Sequence, residues 1–298
     1  MFLRVQPFEA GEAFPFKDHF FNVTVLLMEE TDEQHMGHTL PLRATLVYAD
    51  DGSEVPDAES LMELGGDLAI GQSGMCVVRC KVRDVSMNHA NRAFALKVIA
   101  DLTGGDGDDA GAGAGGGGGT GGGVKAEGGE GNPVKPAFSP CFTVINHRLV
   151  ITGAPIDDKW FKDEGGREKC LMVHTQLYDA SGPTGGRQVR LRATLCYEDG
   201  RKVNNQGILK SSPDTKFVTD AQGKALVKVR IEDVSKNHQN QSFRVKISAD
   251  TTKDPLNHDI SSCHTNATIA RSKVCVLHIY FSMYFSLCSV YVQCESFA

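Results

Sequence analysis

The sequence lacks the residue groupings that catalysis and metal binding require. His35 with His38, and Cys263 with His264, each stand without the second half of a zinc site. The only glycine-rich stretch follows no predicted strand and precedes no predicted helix, so it does not match a nucleotide-binding loop. We therefore expect no cofactor, no bound metal and no enzymatic activity.

The chain also lacks a secretory signal and a disulfide framework. Its N-terminus has neither the basic start nor the apolar run of a signal peptide. The nine cysteines are an odd number without regular spacing. Cys76 and Cys80 lie four residues apart on a predicted strand, roughly 13 Å from each other, which is too far for a disulfide. We expect free, inward-facing thiols and an intracellular location, in the cytoplasm or the nucleus.

What the sequence does contain is an internal repeat. The pattern Asp-Val-Ser-x-Asn-His-x-Asn-x-x-Phe occurs at 84–94 and again, 149 residues later, at 233–243. The pattern Leu-Arg-Ala-Thr-Leu-x-Tyr occurs at 42–48 and, with the same spacing, at 191–197. Matches of this length indicate an internal duplication.

Short runs of alternating apolar and polar residues, separated by turn residues, are typical of antiparallel β-strands. Each copy offers about six or seven of them, with flanking strands predicted to pair as a hairpin around the shared loop. This predicts an all-β protein made of two tandem β-sandwich units. The repeated core resembles immunoglobulin-like sandwiches, which transcription factors of the Rel and Runt kinds use to present loops to DNA. That resemblance concerns the fold class alone.

Composition divides the chain into four predicted segments. Residues 1–103 form the first unit, with 8 basic and 16 acidic residues, and residues 138–255 form the second, with 19 basic and 14 acidic. Between them, residues 104–137 are glycine-rich and are predicted to be a flexible linker. Residues 256–298 form a tail.

The tail contains an uncharged apolar run, residues 274–292, which is long enough to span a bilayer. Arg271 and Lys273 precede it and would keep both units cytoplasmic, as in a tail-anchored membrane protein. Two other interpretations remain open, namely packed β-structure and a translated intron unrelated to the fold.

The shared loops are the first candidate binding surface. Asp84, Ser86 and His89 have the residue types of a hydrolase triad, but they lie within six residues and lack a nucleophile elbow. Asparagine and serine favour turns, so a structural role is the main alternative to binding. The candidate residues are Ser86, Asn88, His89, Asn91, Ser235, Lys236, Asn237, His238 and Asn240.

The second candidate is a basic face on the second unit. Six cations share the solvent-facing phase of three predicted strands, and adjacent strands would join them into one surface for an anionic ligand. They are Arg190, Arg192, Lys228, Arg230, Arg244 and Lys246. The sequence thus predicts a non-catalytic binding or regulatory module, with a protein-interaction adaptor as the main hypothesis. Nucleic-acid binding through the second unit and membrane attachment through the tail are the alternatives.

Overall fold

The computed structural model describes residues 1–8, 13–37, 39–101, 134–162, 169–272, 275–281 and 290–296. The chain forms two compact units, unit 1 (Met1–Ile145) and unit 2 (Asn146–Ala298). Within the described residues the one α-helix is the single turn α1 (Ala58–Leu61), and nearly all other regular structure is strand. The predicted all-β class is confirmed.

Unit 1 consists of two facing sheets. Sheet 1A has the strand order β1-β2-β6-β4, and sheet 1B has the order β5-β3-β7-β8. The strands are β1 (Phe2–Val5), β2 (Phe20–Met28), β3 (Leu40–Tyr48), β4 (Met62–Gly65), β5 (Ala69–Ile70), β6 (Met75–Val82), β7 (Phe94–Ala100) and β8 (Ala137–Phe138).

The core of unit 1 lies between these sheets. Strand β6 alternates strictly, so Cys76, Val78, Cys80 and Val82 are buried while the residues between them are more exposed. They pack with Phe94 and other inward residues of sheet 1B. As expected, both cysteines face inward as free thiols, and burial raises the pKa of Cys80 to about 12.

Unit 2 repeats this immunoglobulin-like sandwich. Sheet 2A has the order β14-β15-β11-β9-β17, with β12 also pairing with β11, and sheet 2B has the order β13-β16-β18. Strands β10 and β19 form a separate parallel pair. The strands are β9 (His147–Ile151), β10 (Lys159–Phe161), β11 (Leu171–Asp179), β12 (Gly182–Pro183), β13 (Leu191–Tyr197), β14 (Leu209–Ser211), β15 (Lys224–Ile231), β16 (Phe243–Ala249), β17 (Ile260–Ser261), β18 (Cys263–His264) and β19 (Ile269–Arg271).

The shared loop does not close a hairpin, which corrects the prediction. Strand β6 lies in sheet 1A and β7 in sheet 1B, and likewise β15 lies in sheet 2A and β16 in sheet 2B. Each loop therefore carries the chain from one sheet of the sandwich to the other. Alternation along a strand shows which side chains face the core, but it does not show which strand is the hydrogen-bonding neighbour.

The boundary between the units lies after residue 145, not before residue 138. Strand β8 pairs with β7, and Phe142 exchanges two backbone hydrogen bonds of 2.8 Å with Phe94. Val134, Phe142, Val144 and Ile145 are all buried. The residues on both sides of the glycine-rich segment thus belong to unit 1, and the segment is an insertion before β8. The predicted flexibility concerns residues that lie outside the described part.

Contacts at equivalent positions in unit 2 explain why both unit boundaries differ from the predicted ones. Phe243 bridges Thr268 as Phe94 bridges Phe142, and Thr265 accepts from Val245 N–H as Ser139 accepts from Leu96 N–H. The spacing of equivalent positions thus falls from 149 residues before this segment to 126 after it. Unit 1 is 23 residues longer here, and unit 2 continues past the predicted end at 255 through β19.

The tail forms strands where it is described. Strands β20 (Cys275–Phe281) and β21 (Val290–Ser296) pair antiparallel, with Cys275 opposite Ser296. Across the described ranges, no helix is long and apolar enough to cross a membrane. The interpretation of residues 274–292 as a transmembrane helix is therefore not supported; residues 274 and 282–289 lie outside the described residues.

Candidate functional site

Each shared loop is a 3-10 turn followed by two left-handed residues. The turns are Ser86–His89 and Ser235–His238. Asn91 and Asn240 have φ values of 61° and 60°, a region that asparagine tolerates better than most residues. Their N–H groups donate to the carbonyls of Ser86 and Ser235 at 2.9 and 2.8 Å. The left-handed backbone conformation therefore explains the second asparagine of the motif.

The histidine of each loop lies between a tyrosine and an aspartate. In unit 1 the Tyr48 hydroxyl is 2.9 Å from His89 Nδ1, and Asp84 Oδ2 is 3.4 Å from Nε2. In unit 2 the Tyr197 and Asp233 distances to His238 are 3.0 and 3.1 Å. The first aspartate distance is an ion-pair contact beyond good hydrogen-bond range, whereas the second is a hydrogen bond. Both histidine rings also contact the motif phenylalanine edge-on, at about 5 Å.

The serine of each loop is buried and bonded to backbone. Ser86 Oγ accepts from Val144 N–H at 3.0 Å, and Ser235 Oγ accepts from Ala270 N–H at 3.0 Å. These bonds fasten the loop to the C-terminal segment of the unit, which in unit 2 is strand β19. The serine is thus not hydrogen-bonded to the histidine, which rules out this Asp-Ser-His set as a hydrolase triad. It also removes Ser86 and Ser235 from the candidate binding surface.

Two of the remaining candidate loop residues already donate hydrogen bonds within their own loops. Asn88 and Asn237 are exposed, yet their amides donate to Asp84 and Asp233 at 2.6 and 2.7 Å. Burial opposes ionisation of Asp233, but bonds from Val234, Asn237 and His238 outweigh it and lower its pKa. Lys236 is exposed, whereas unit 1 has Met87 at this position. The structure therefore assigns most of the motif to holding the loop.

The predicted basic face is divided between opposite sheets. Arg192, Arg244 and Lys246 lie on sheet 2B, with Arg190 just before β13, while Lys228 and Arg230 lie on sheet 2A. Outward residues of two facing sheets point in opposite directions, so the six cations do not form one surface. The prediction failed because it assumed that β15 and β16 adjoin.

Ion pairs further reduce this positive charge. Arg192 pairs with Asp250 at 3.2 Å, Lys228 with Asp214 at 2.5 Å, and Arg230 with Glu232. Hydrogen bonds from Lys228 and Ser212 lower the pKa of Asp214 to about 2, so this carboxylate stays charged.

A surface that the sequence did not single out repeats in both units. We call the outward residues of β2 and β6 face 1, and those of β11 and β15 face 2. Val77 lies opposite Thr24 in face 1 as Leu226 lies opposite His174 in face 2. Face 1 comprises Phe20, Asn22, Thr24, Leu26, Met75, Val77, Arg79 and Lys81. Face 2 comprises Met172, His174, Lys224, Leu226, Lys228 and Arg230.

Both faces combine exposed apolar groups with cations. Phe20, Met75, Val77 and Met172 are 40%, 41%, 43% and 57% exposed, and they are four of the nine large exposed hydrophobic residues of the described chain. In face 1 the cations of Arg79 and Lys81 lie 4.8 and 4.9 Å from the Phe20 ring centroid. Exposed apolar groups gathered on one face are more informative than scattered ones.

Unit 2 contains a polar network around the buried Asp259. Arg187 Nη1 donates to both Asp259 oxygens at 3.1 and 3.0 Å, and Asn146 donates to the same carboxylate at 3.0 Å. Burial raises the pKa of Asp259, but bonds from His147 and Arg187 outweigh it and bring the value to about 2. The network holds the segment before β17 against the start of β9.

Sequence reasoning missed these partners for different reasons. Tyr48 and Tyr197 share the 149-residue spacing of the loop histidines, so their pairing could have been proposed from the two repeats. Arg187 and Asp259 are 72 residues apart in segments that do not repeat. No local pattern indicates that contact.

Comparison with known proteins gives one family match. Residues 171–275, about a third of the chain, match the model of a family described as the DG1062 N-terminal domain. The match runs from the start of β11 past β19 and so covers most of the unit 2 sandwich. A search of curated proteins found no match.

Solved structures give distant likenesses. Invasin, a bacterial integrin-binding protein, is 7% identical with a TM-score of 0.26, over 91% of this chain and 40% of that one. The D0-D1 domain of intimin is 8% identical with a TM-score of 0.26, over 88% and 93%. A DUF4785 family protein from Legionella pneumophila is 10% identical with a TM-score of 0.33, over 89% and 54%. No inference about ligand or function follows from likenesses this distant.

Proposed function

We propose that the chain is a non-catalytic binding module, a protein-interaction adaptor whose two units contact partners through face 1 and face 2. The observation that carries this proposal is that the outward face of the same two strands in each unit combines exposed apolar residues with cations. Arg79 and Lys228 are equivalent, as are Lys81 and Arg230, and Val77 is equivalent to Leu226. Interfaces place apolar groups at the centre and polar, solvent-accessible groups at the rim.

The rest of the repeated motif supports a scaffold role. Its serine, histidine and aspartate bond to groups within their own unit, which leaves them no arrangement as nucleophile and base. The six cysteines between residues 76 and 263 are free, in keeping with the intracellular location that we propose. Two units with unequal charge would present similar frameworks to partners of different charge.

Nucleic acid is a less suitable partner for unit 2. The six cations are divided between two sheets, and three of them form ion pairs. Unit 2 therefore lacks, in its described part, a continuous cationic surface made of these residues for phosphate binding.

The proposal is tested by protein capture with intact chains. Val77→Asp disrupts face 1 and Met172→Asp disrupts face 2, while Met36→Asp alters an exposed methionine outside both faces. Proteins retained by the wild type and by Met36→Asp, but lost with Val77→Asp or Met172→Asp, would support the proposal. Equal retention by all four chains would contradict it.

A further inference from the structure

A groove lies on the outward side of sheet 2A in unit 2. It has a volume of about 400 Å³, within the range of ligand-binding clefts. One wall comes from the central strands β11 and β15, and the other from the segment 212–220. Its lining includes His174, Lys216, Val218, Lys224, Leu226 and Lys228.

The two carboxylates of this groove are already engaged. Asp214 pairs with Lys228 at 2.5 Å and accepts a bond from Ser212. Asp220 Oδ1 accepts the backbone N–H groups of Gln222 and Lys224 at 2.9 and 2.8 Å. By contrast, the ammonium groups of Lys216 and Lys224 have no ion-pair partner within the described chain. The three lysines and two carboxylates give the groove lining a net charge of +1, and the two lysines without an ion pair lie beside apolar groups.

Unit 1 does not reproduce this arrangement. Lys224 corresponds to Met75, and His174 corresponds to Thr24. From Lys210, opposite Arg230, unit 2 takes seven residues to reach Phe217, whose carbonyl accepts from Leu191. Unit 1 takes five residues between the equivalent positions, Glu63 and Leu68. The longer segment forms the outer wall and supplies Lys216.

The ring of His174, which lines the groove, lies close to the backbone of Gly153. A Cβ built at Gly153 would lie 2.9 Å from His174 Cδ2, closer than such atoms approach in real proteins. The glycine therefore leaves room for the imidazole beside Thr152, another lining residue.

We infer that this groove binds an acidic, extended segment of a partner protein, an inference that rests on the proposed function and names the partner's chemistry. Carboxylates of the segment would pair with Lys216 and Lys224, and an apolar side chain would contact Leu226 and Val218. A peptide can space its charges to avoid Asp214 and Asp220. A nucleic acid carries a phosphate at every nucleotide and would meet those carboxylates as well.

The test uses the intact chain and three fluorescent probes at low ionic strength. The probes are a decapeptide of alternating glutamate and valine, its lysine–valine counterpart, and a single-stranded oligothymidylate. We expect the acidic peptide to bind and the basic one not to bind. Two charge-reversed lysines correspond to about tenfold weaker binding by the energies of exposed ion pairs.

Matched variants locate the binding. Lys216→Glu with Lys224→Glu should weaken the acidic peptide about tenfold. Lys202→Glu with Lys253→Glu changes the net charge equally at exposed positions outside the groove and should leave binding unchanged. Circular dichroism of each variant confirms that it is folded. Equal weakening by both pairs, absence of peptide binding, or tighter binding of the oligothymidylate would overturn the inference.

Failure of this inference can be separated from failure of the adaptor proposal. If the acidic peptide does not bind while protein capture still depends on Val77 and Met172, only the groove is wrongly assigned. If neither Val77→Asp nor Met172→Asp changes the proteins that are captured, the adaptor proposal itself is wrong.

Discussion

Replacing Phe142 with alanine distinguishes the structural boundary of unit 1 from the one that composition suggests. Phe142 is 1% exposed, and its ring lies 4.9 Å from Phe21, 6.0 Å from Phe8 and 6.1 Å from Phe94, between ring centroids. Truncating a buried phenylalanine to alanine costs about 3–5 kcal/mol. The whole cost should fall on unit 1, because all three rings belong to it.

Hydrogen–deuterium exchange of the intact chain measures this directly. A loss of 3–5 kcal/mol corresponds to roughly a hundred- to several-thousandfold faster exchange of the most protected amides. We expect this acceleration in β3, β6 and β7, with β11, β15 and β16 unchanged. Faster exchange in unit 2, or in neither unit, would refute the assignment of residues 134–145 to unit 1.

Three further predictions follow from particular contacts. Tyr48→Phe and Tyr197→Phe should each destabilise their own unit by about 1–3 kcal/mol in urea unfolding, because a largely buried histidine nitrogen loses its partner. Asp259 has a lowered pKa, so its contribution is complete above about pH 4 and is lost as the pH falls towards 2; wild type should lose about 2 kcal/mol relative to Asp259→Asn over that range. Thr268→Val should stabilise unit 2 by about 1 kcal/mol in the same assay, because the buried Thr268 hydroxyl has no partner within the described chain. An unchanged midpoint for either tyrosine variant, a pH-independent difference for Asp259→Asn, or a loss of stability for Thr268→Val would contradict the corresponding contact.

The strands and their inward faces could be predicted from the sequence, because side-chain alternation is a local property. Residues 42–48 and 191–197 are strand in the structure, and Cys76 and Cys80 face the core as the pattern indicated. The fold class follows from the number and spacing of such strands.

The pairing of strands is a non-local property and could not be predicted in the same way. A loop of eleven residues can close a hairpin or cross between sheets, and the motif at 84–94 has the same alternation in its flanks in either case. If the loop is taken as a hairpin, Lys228 and Arg230 are placed on the same sheet as Arg244 and Lys246, whereas the structure places the two pairs on opposite sheets. The candidate basic face failed for that reason.

The glycine-rich segment led to a wrong unit boundary for a different reason. Composition indicates that such a segment has few side chains to pack, but it does not indicate which parts of the chain flank it in space. Residues 139–145 share little identity with residues 265–271, so the repeat does not reveal that both belong to the C-terminal segment of their unit. The groove beside Lys216 also depends on packing that no local pattern shows.

Hydrogen exchange of the intact chain, with and without its captured protein partner, shows whether the partner binds at face 1 and face 2. If the two sheet faces are the binding surfaces, the partner should slow exchange in β2 and β6 or in β11 and β15, and leave the loops at 84–91 and 233–240 unchanged. Protection confined to those loops, or absent from both faces, would contradict the account.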